Sequence, residues 1–324
     1  MMEKIKKKES KFFVLLIIAI IVFIYIFNFT SNGKFMFIKT KVNKAGETSL
    51  LTTVPDPSLS VLSKNLNSPN AILIQLDNLT VLMEKNSSQR IYPASLTKIM
   101  TAIVAIENLQ DLQENIKLSN ATFHELYKED ASIAGFKPDE NVRAIDLLYG
   151  VILPSGAECS IGLADHIAGS EKKFVEIMNQ KAMALGMRDT HFTNSTGLQD
   201  SNHYTTVRDL SILLSYALKN NTFRDIFTSS RYSTTPTNKH PEGITFHSTM
   251  FKNMENPVID GGRILGGKTG YTDRAGLCLA SLAEKGGREY ILVTAGAKGN
   301  HKSEQYNIDD AYAVYNKLGK YKKS

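Results

Sequence analysis

The sequence predicts an α+β fold in which one antiparallel sheet is built from both ends of the folded region and a helical block fills the interval. Three observations carry this. "AILIQLD" and "TVLMEK", separated by a short turn, read as a hairpin near residues 71–85. "GLCLASLAE" and "REYILVTAGA", joined by "KGG", read as a second hairpin after residue 275. Between them run helix-periodic segments, and strands from both ends of such a region close into one sheet when the helices pack against it.

The elements follow in order. Residues 1–11, "MMEKIKKKESK", carry five lysines and two glutamates, half of the chain's net +6. Phe12 to Phe29 follow without a charge. Eighteen residues of helix span roughly 27 Å, close to a bilayer's hydrocarbon thickness. Lysines before such a span place the N-terminus in the cytoplasm. No A-x-A-like cleavage site follows, so the reading is an uncleaved transmembrane anchor, with a cleaved signal peptide as the alternative. Everything after it is expected outside the cytoplasm, on the cell membrane. Residues 30–70 are polar and irregular and read as a stalk, and residues 71–320 as one domain. In "SLTKIMTAIVAIENL", Leu96, Ile99, Met100, Ile103 and Val104 recur at helical spacing, and the apolar surround predicts deep burial. "RAIDLLYGVIL" and "AECSIGLADHIAG" are helices flanking "PSG"; "SEKKFVEIMNQKAMALG" starts on a serine cap and stops at Gly186. "TVRDLSILLSYALKN" is amphipathic, and "SEQYNIDDAYAVYNKLGKY" closes the chain as a helix. Cys159 and Cys278 have no metal-site spacing; they read as small buried residues, or else as a disulfide. The remaining charge balance gives no reason to expect nucleic acid.

"GGRILGGKTG" contains G-x-x-x-x-G-K-T, the written form of a phosphate-binding loop. That loop needs a helix starting at its Lys-Thr. Here "TGYTDRAGLCLASLA" follows, which reads as strand and hairpin, so Lys268 is a cation on a strand, among glycines that permit close backbone approach. Ser95 and Lys98, three apart at the start of the buried helix, share one face, with roughly 5–6 Å between Cβ atoms. A serine hydroxyl needs a base to become a nucleophile. A lysine serves if its proton is removed; moving it from about 10.4 to near 7 takes roughly 4 kcal/mol of differential stabilisation. Burial and a second cation, Lys268, both act in that direction.

S-x-x-K, an S-x-N-type second motif and K-T-G together mark penicillin-binding proteins and class A β-lactamases. Through "YPASLTKIMTA", "LLYGVILPSGAE", "LADHIAGSEKKFVEIMNQKAMALGMRDTHFTNSTGL", "YTTVRDL" and "GGKTGYTDRAGLCLA", in order and spacing, the chain resembles the low-molecular-mass penicillin-binding proteins, serine-type D-alanyl-D-alanine carboxypeptidases. The resemblance implies a β-lactamase/transpeptidase-like fold and a peptidoglycan stem peptide ending in D-Ala-D-Ala as substrate. It implies Ser95 as nucleophile, Lys98 as its base and Ser155 as proton relay to the leaving nitrogen. Lys268 and Thr269 would bind the substrate's terminal carboxylate beside Gly270. The N–H groups of Ser95 and Tyr271 would form the oxyanion hole. β-Lactams would acylate Ser95, and no cofactor or metal is implied.

The second motif departs from the family's pattern: "SGA" places Ala157 where an asparagine is usual. Glu158, a bridging water or a backbone carbonyl could fill that gap; otherwise the chain is a non-catalytic wall-binding or penicillin-sensing module. A class A β-lactamase needs a deacylating glutamate, and Glu171 and Glu176 read instead as helix surface. A metallopeptidase needs tight ligand pairs that the seven histidines do not form; His166 and His191 read as ordinary helix and turn residues. Tyr204 and Arg208 either shape the cleft or flank a helix.

Overall fold

A computed structural model of the protein describes residues 51–319 except 127, 128 and 130, so the basic tail and the apolar Phe12–Phe29 segment lie outside the described residues. The elements are β1 Thr52–Thr53, α1 Pro57–Ser63, β2 Asn70–Gln75, β3 Thr80–Lys85, a 3-10 turn Ala94–Leu96, α2 Thr97–Asn108, β4 Asn115–Lys117, α3 Asn120–Leu126, β5 Asn141–Arg143, α4 Ala144–Ile152, α5 Ala157–Ala168 and α6 Glu171–Ala184. They continue with α7 Val207–Ala217, α8 Asn221–Thr228, β6 Arg231–Ser233, β7 Thr245–His247, α9 Thr249–Lys252, β8 Val258–Ile259, β9 Gly262–Thr272, β10 Gly276–Lys285, β11 Arg288–Ala297 and α10 Tyr306–Lys317. Among the described residues no helix is long and apolar enough to cross a membrane.

The main sheet has the order β1-β3-β2-β11-β10-β9-β8, so both ends of the domain do meet, at the β2–β11 pairing from Gln75↔Tyr290 to Asn70↔Ala295. The sheet is not wholly antiparallel: β1 runs parallel to β3. That pair also corrects the expected stalk. Residues 51–70 are part of the fold, because Val54 and Asp56 continue the β3 ladder through their N–H groups and Asp56 then caps α1. The polar composition that suggested a linker is that of a helix cap followed by a turn.

The central strands are apolar without alternation because both faces are covered. Ala71 and Leu73 of β2, Leu279 and Ala283 of β10 and Leu292 of β11 pack with Leu59 of α1 and Ile308, Ala311, Val314 and Tyr315 of α10. Ile72, Ile74, Ala280, Leu282, Ile291 and Val293 face the other way, toward α2 and the helical block. Every residue of α2 from Thr97 to Ala105 is buried, as its small and apolar composition around Lys98 leads one to expect. Ser170 and Thr206 cap α6 and α7 by accepting from Lys173 and Asp209 N–H. Cys159 and Cys278 are buried free thiols.

Asp310 of α10 joins the two ends of the fold. Its carboxylate, 2% exposed, accepts from the Asn67 and Ser68 backbone N–H groups, both at 2.8 Å, just before β2. Asp310→Ala strands these donors and should cost about 2–4 kcal/mol. Urea unfolding of the full chain in mild detergent checks this; a loss below ~1 kcal/mol would show that the junction does not depend on the carboxylate.

Candidate active site

Ser95 sits in the 3-10 turn that runs without a break into α2. The turn starts from Ala94 at φ +47, a left-handed conformation that costs an alanine free energy. Its surroundings hold it there. Thr97 Oγ1 donates to the Ala94 carbonyl at 2.8 Å. Gly197, at φ +81, lies against the same carbonyl so closely that a Cβ on it would fall 1.9 Å from the oxygen. A Cβ on Gly270 of β9 would meet Ser95 N at 3.1 Å and Ala94 Cβ at 3.2 Å, so the K-T-G strand passes directly alongside the Ser95 amide.

Lys98 is one turn further along, 2% exposed. Its Nζ donates to the Thr196 carbonyl at 2.6 Å and to Ser95 Oγ at 3.3 Å. Burial lowers its pKa to about 8, against the opposing pull of Glu158, Cys159 and Glu171. Lys268 is fully buried in the middle of β9 and donates to the Thr269 carbonyl at 2.8 Å. Burial, and secondarily the charge of Lys98, push it well below the ordinary lysine value. The Thr269 hydroxyl bonds that of Thr249 at 2.6 Å. No helix starts at Lys268; residues 262–272 are one strand paired to β10, so the phosphate-loop spelling has no structural counterpart.

Ser155 occupies the turn before α5 at φ +70, and its buried hydroxyl has no partner among the described residues. A cleft of about 620 Å³ is lined by Ser95, Lys98, Ala157, Thr196, Gln199 and Tyr271, among others. Ser155, Lys268 and Thr269 are not part of that lining. Glu158 acts on Lys98 through its charge, and its hydrogen bonds go elsewhere. Its Oε1 accepts from Ala134 and Gly135 N–H at 2.7 and 3.0 Å, holding the loop whose Ala131 and Ser132 form one wall of the cleft. The Thr196 backbone carbonyl is what supplies Lys98 with an acceptor.

Four contributors escaped the sequence reading. Thr196 acts through its backbone, which no side-chain pattern announces. Glu171, expected on a helix surface, accepts from Ser195 N–H and Oγ at 2.8 and 2.6 Å and so ties down the Thr196 segment. Thr97 and His203 brace the Ser95 turn. Arg208 pairs with Glu84 at 2.6 Å and Arg90 stacks on Tyr204 at 4.3 Å, so these residues serve the scaffold outside the cleft lining.

Comparison with known proteins identifies the family. The family model described as D-alanyl-D-alanine carboxypeptidase, peptidase S11, matches residues 57–299. The chain belongs to the S11 peptidase family. It is 33% identical over 272 residues to the D-alanyl-D-alanine carboxypeptidase DacF of Bacillus subtilis, covering 79% of this chain and 64% of that protein. It is 32% identical over 241 residues to DacA of Escherichia coli, covering 72% and 57% respectively. The chain thus spans somewhat less than two thirds of these relatives. The Streptomyces K15 DD-transpeptidase structure is similar at TM-score 0.70 and 27% identity, over 78% of this chain and 97% of that one. This S11 member therefore has the α+β transpeptidase-like fold.

The Gly197 contact is testable. Gly197→Ala places a methyl against the Ala94 carbonyl and forces an alanine to φ +81. It should lower stability by about 1–3 kcal/mol and slow labelling of Ser95 by a fluorescent penicillin about tenfold or more. Unchanged melting temperature and labelling would show that this contact does not hold the turn.

Proposed function

We propose that the chain is a serine-type D-Ala-D-Ala carboxypeptidase that trims peptidoglycan stem peptides through an acyl-enzyme on Ser95 and is inhibited by β-lactams. The observation that carries this is Lys98: a buried lysine with its pKa lowered to about 8, its Nζ 3.3 Å from the Ser95 hydroxyl. Neutral Lys98 accepts the Ser95 proton as Oγ attacks the penultimate D-Ala carbonyl. The developing oxyanion is held by the N–H groups of Ser95 and Tyr271. Ser155 relays the proton to the departing D-Ala nitrogen, and water then hydrolyses the ester. Lys268 is fully buried behind Thr269, and a terminal carboxylate docking along β9 beside Gly270 favours its protonated form against the burial that opposes it. Membrane attachment through residues 12–29, with residues 1–11 cytoplasmic and the domain outside, belongs to the same proposal.

Two features favour this over the rival readings. Lys98 keeps an acceptor despite Ala157, which supports an active enzyme over a binding module. Glu171 is engaged by Ser195 and is not part of the cleft lining, which speaks against a deacylating role of β-lactamase type.

Mass spectrometry of the full chain after treatment with a labelled penicillin should find the adduct on Ser95, and Ser95→Ala should take none. An adduct on another residue, or one surviving Ser95→Ala, rejects the mechanism. The pH dependence has a definite sign. The base works only when deprotonated, so acylation should fall about tenfold per pH unit below about 8 and level off above it. A profile flat from pH 6 to 9 would exclude Lys98 as the base.

A further inference from the structure

His203 is 2% exposed, in contact with Phe192, and outside the cleft lining. The Thr193 backbone N–H points at its Nδ1 at 3.1 Å, and its Nε2 is 2.7 Å from Thr97 Oγ1. A backbone N–H can only donate, so Nδ1 bears the lone pair and, in the neutral ring, Nε2 bears the proton. That proton goes to Thr97 Oγ1, whose own proton goes to the Ala94 carbonyl at 2.8 Å. The far end requires the same direction: a hydroxyl already donating to Ala94 is free to accept. Asp200, His191 and Lys98 are the charged or titratable groups acting on the ring, and burial drives it down to about 4, so it is neutral at ordinary pH.

The ring therefore bridges two segments that the catalytic geometry needs in register. On one side is the strained turn that carries Ser95. On the other is the Thr193–Thr196 segment, whose carbonyl at 196 holds Lys98. We propose that His203, as the neutral Nε2–H tautomer acting through Thr97, is a positioning residue that sets the spacing between the Ser95 turn and the Thr196 carbonyl and so keeps Lys98 between them. This rests on the peptidase reading above.

The test uses the full chain in mild detergent. With ring-labelled histidine, nitrogen NMR should find His203 as the Nε2–H tautomer; an Nδ1–H tautomer overturns the arrangement. Thr97→Val keeps the side-chain shape and removes the relay. The folded variant should be acylated by a fluorescent penicillin about ten- to thirtyfold more slowly. The midpoint of its pH–rate profile should rise, because a loosened pocket lets water reach Lys98 and relieves its desolvation. Thr97→Ser, which keeps the hydroxyl, should return to within about threefold of wild type. A folded Thr97→Val chain with wild-type rate and midpoint overturns the positioning role alone. A wild-type chain that takes no label overturns the peptidase reading, and this one with it.

Discussion

The site depends on burying a lysine whose hydrogen-bond partners are neutral oxygens. Lys98 Nζ meets a backbone carbonyl and a serine hydroxyl, contacts that orient an ammonium without neutralising it. In water such a group keeps its proton; inside the fold its pKa falls to about 8. Desolvation is the larger cause, so the property depends on dry packing. Much of the architecture serves that end. α2 is enclosed on all sides, the sheet covers one flank, and the Thr196 segment is tied down by Asn194, Glu171 and Thr101. The strain at Ala94 persists because Thr97, Gly197 and Gly270 together leave the turn no relaxed alternative.

The order of elements was legible because it is written in periodicity and punctuation. β2 and β3, the K-G-G hairpin and α6 with its serine cap all stand where their patterns put them. So does the strand through Lys268, since Gly270 and the "TDRAG" turn rule out a helix at that point. What was not legible was set by tertiary pairing. Residues 51–70 look like a linker because β1 is two residues long and its reason for existing is β3, some thirty residues away. The short β4–β5 and β6–β7 ribbons are similar: three residues on each side carry no period that can be counted.

The candidate site divides along the same line. Ser95 and Lys98 are local, three residues apart on one helix, and Lys268 stands out as a cation among glycines. Glu171 reads as surface because its first-turn position in α6 is also where a solvated acid suits the helix dipole. Only the fold shows that Ser195 reaches back to it. Thr97 and His203 are 106 residues apart and their pairing has no sequence signal at all. Ala157 shows the limit of motif reading from the other side. The absent amide left a substitute acceptor or a non-catalytic module open, and the acceptor that Lys98 uses belongs to the backbone of Thr196, a group that substitution of a side chain does not remove.

Lys268 completes the electrostatic argument. Burial, and secondarily the charge of Lys98, push Lys268 toward its neutral form. Among the described residues no carboxylate bonds Lys268 Nζ, which donates to a carbonyl of its own strand. In the proposed peptidase an anionic group arriving along β9 supplies a countercharge and favours a proton on Lys268. In the proposed peptidase a ligand of the same shape without that carboxylate gains the contacts along β9 but not the countercharge.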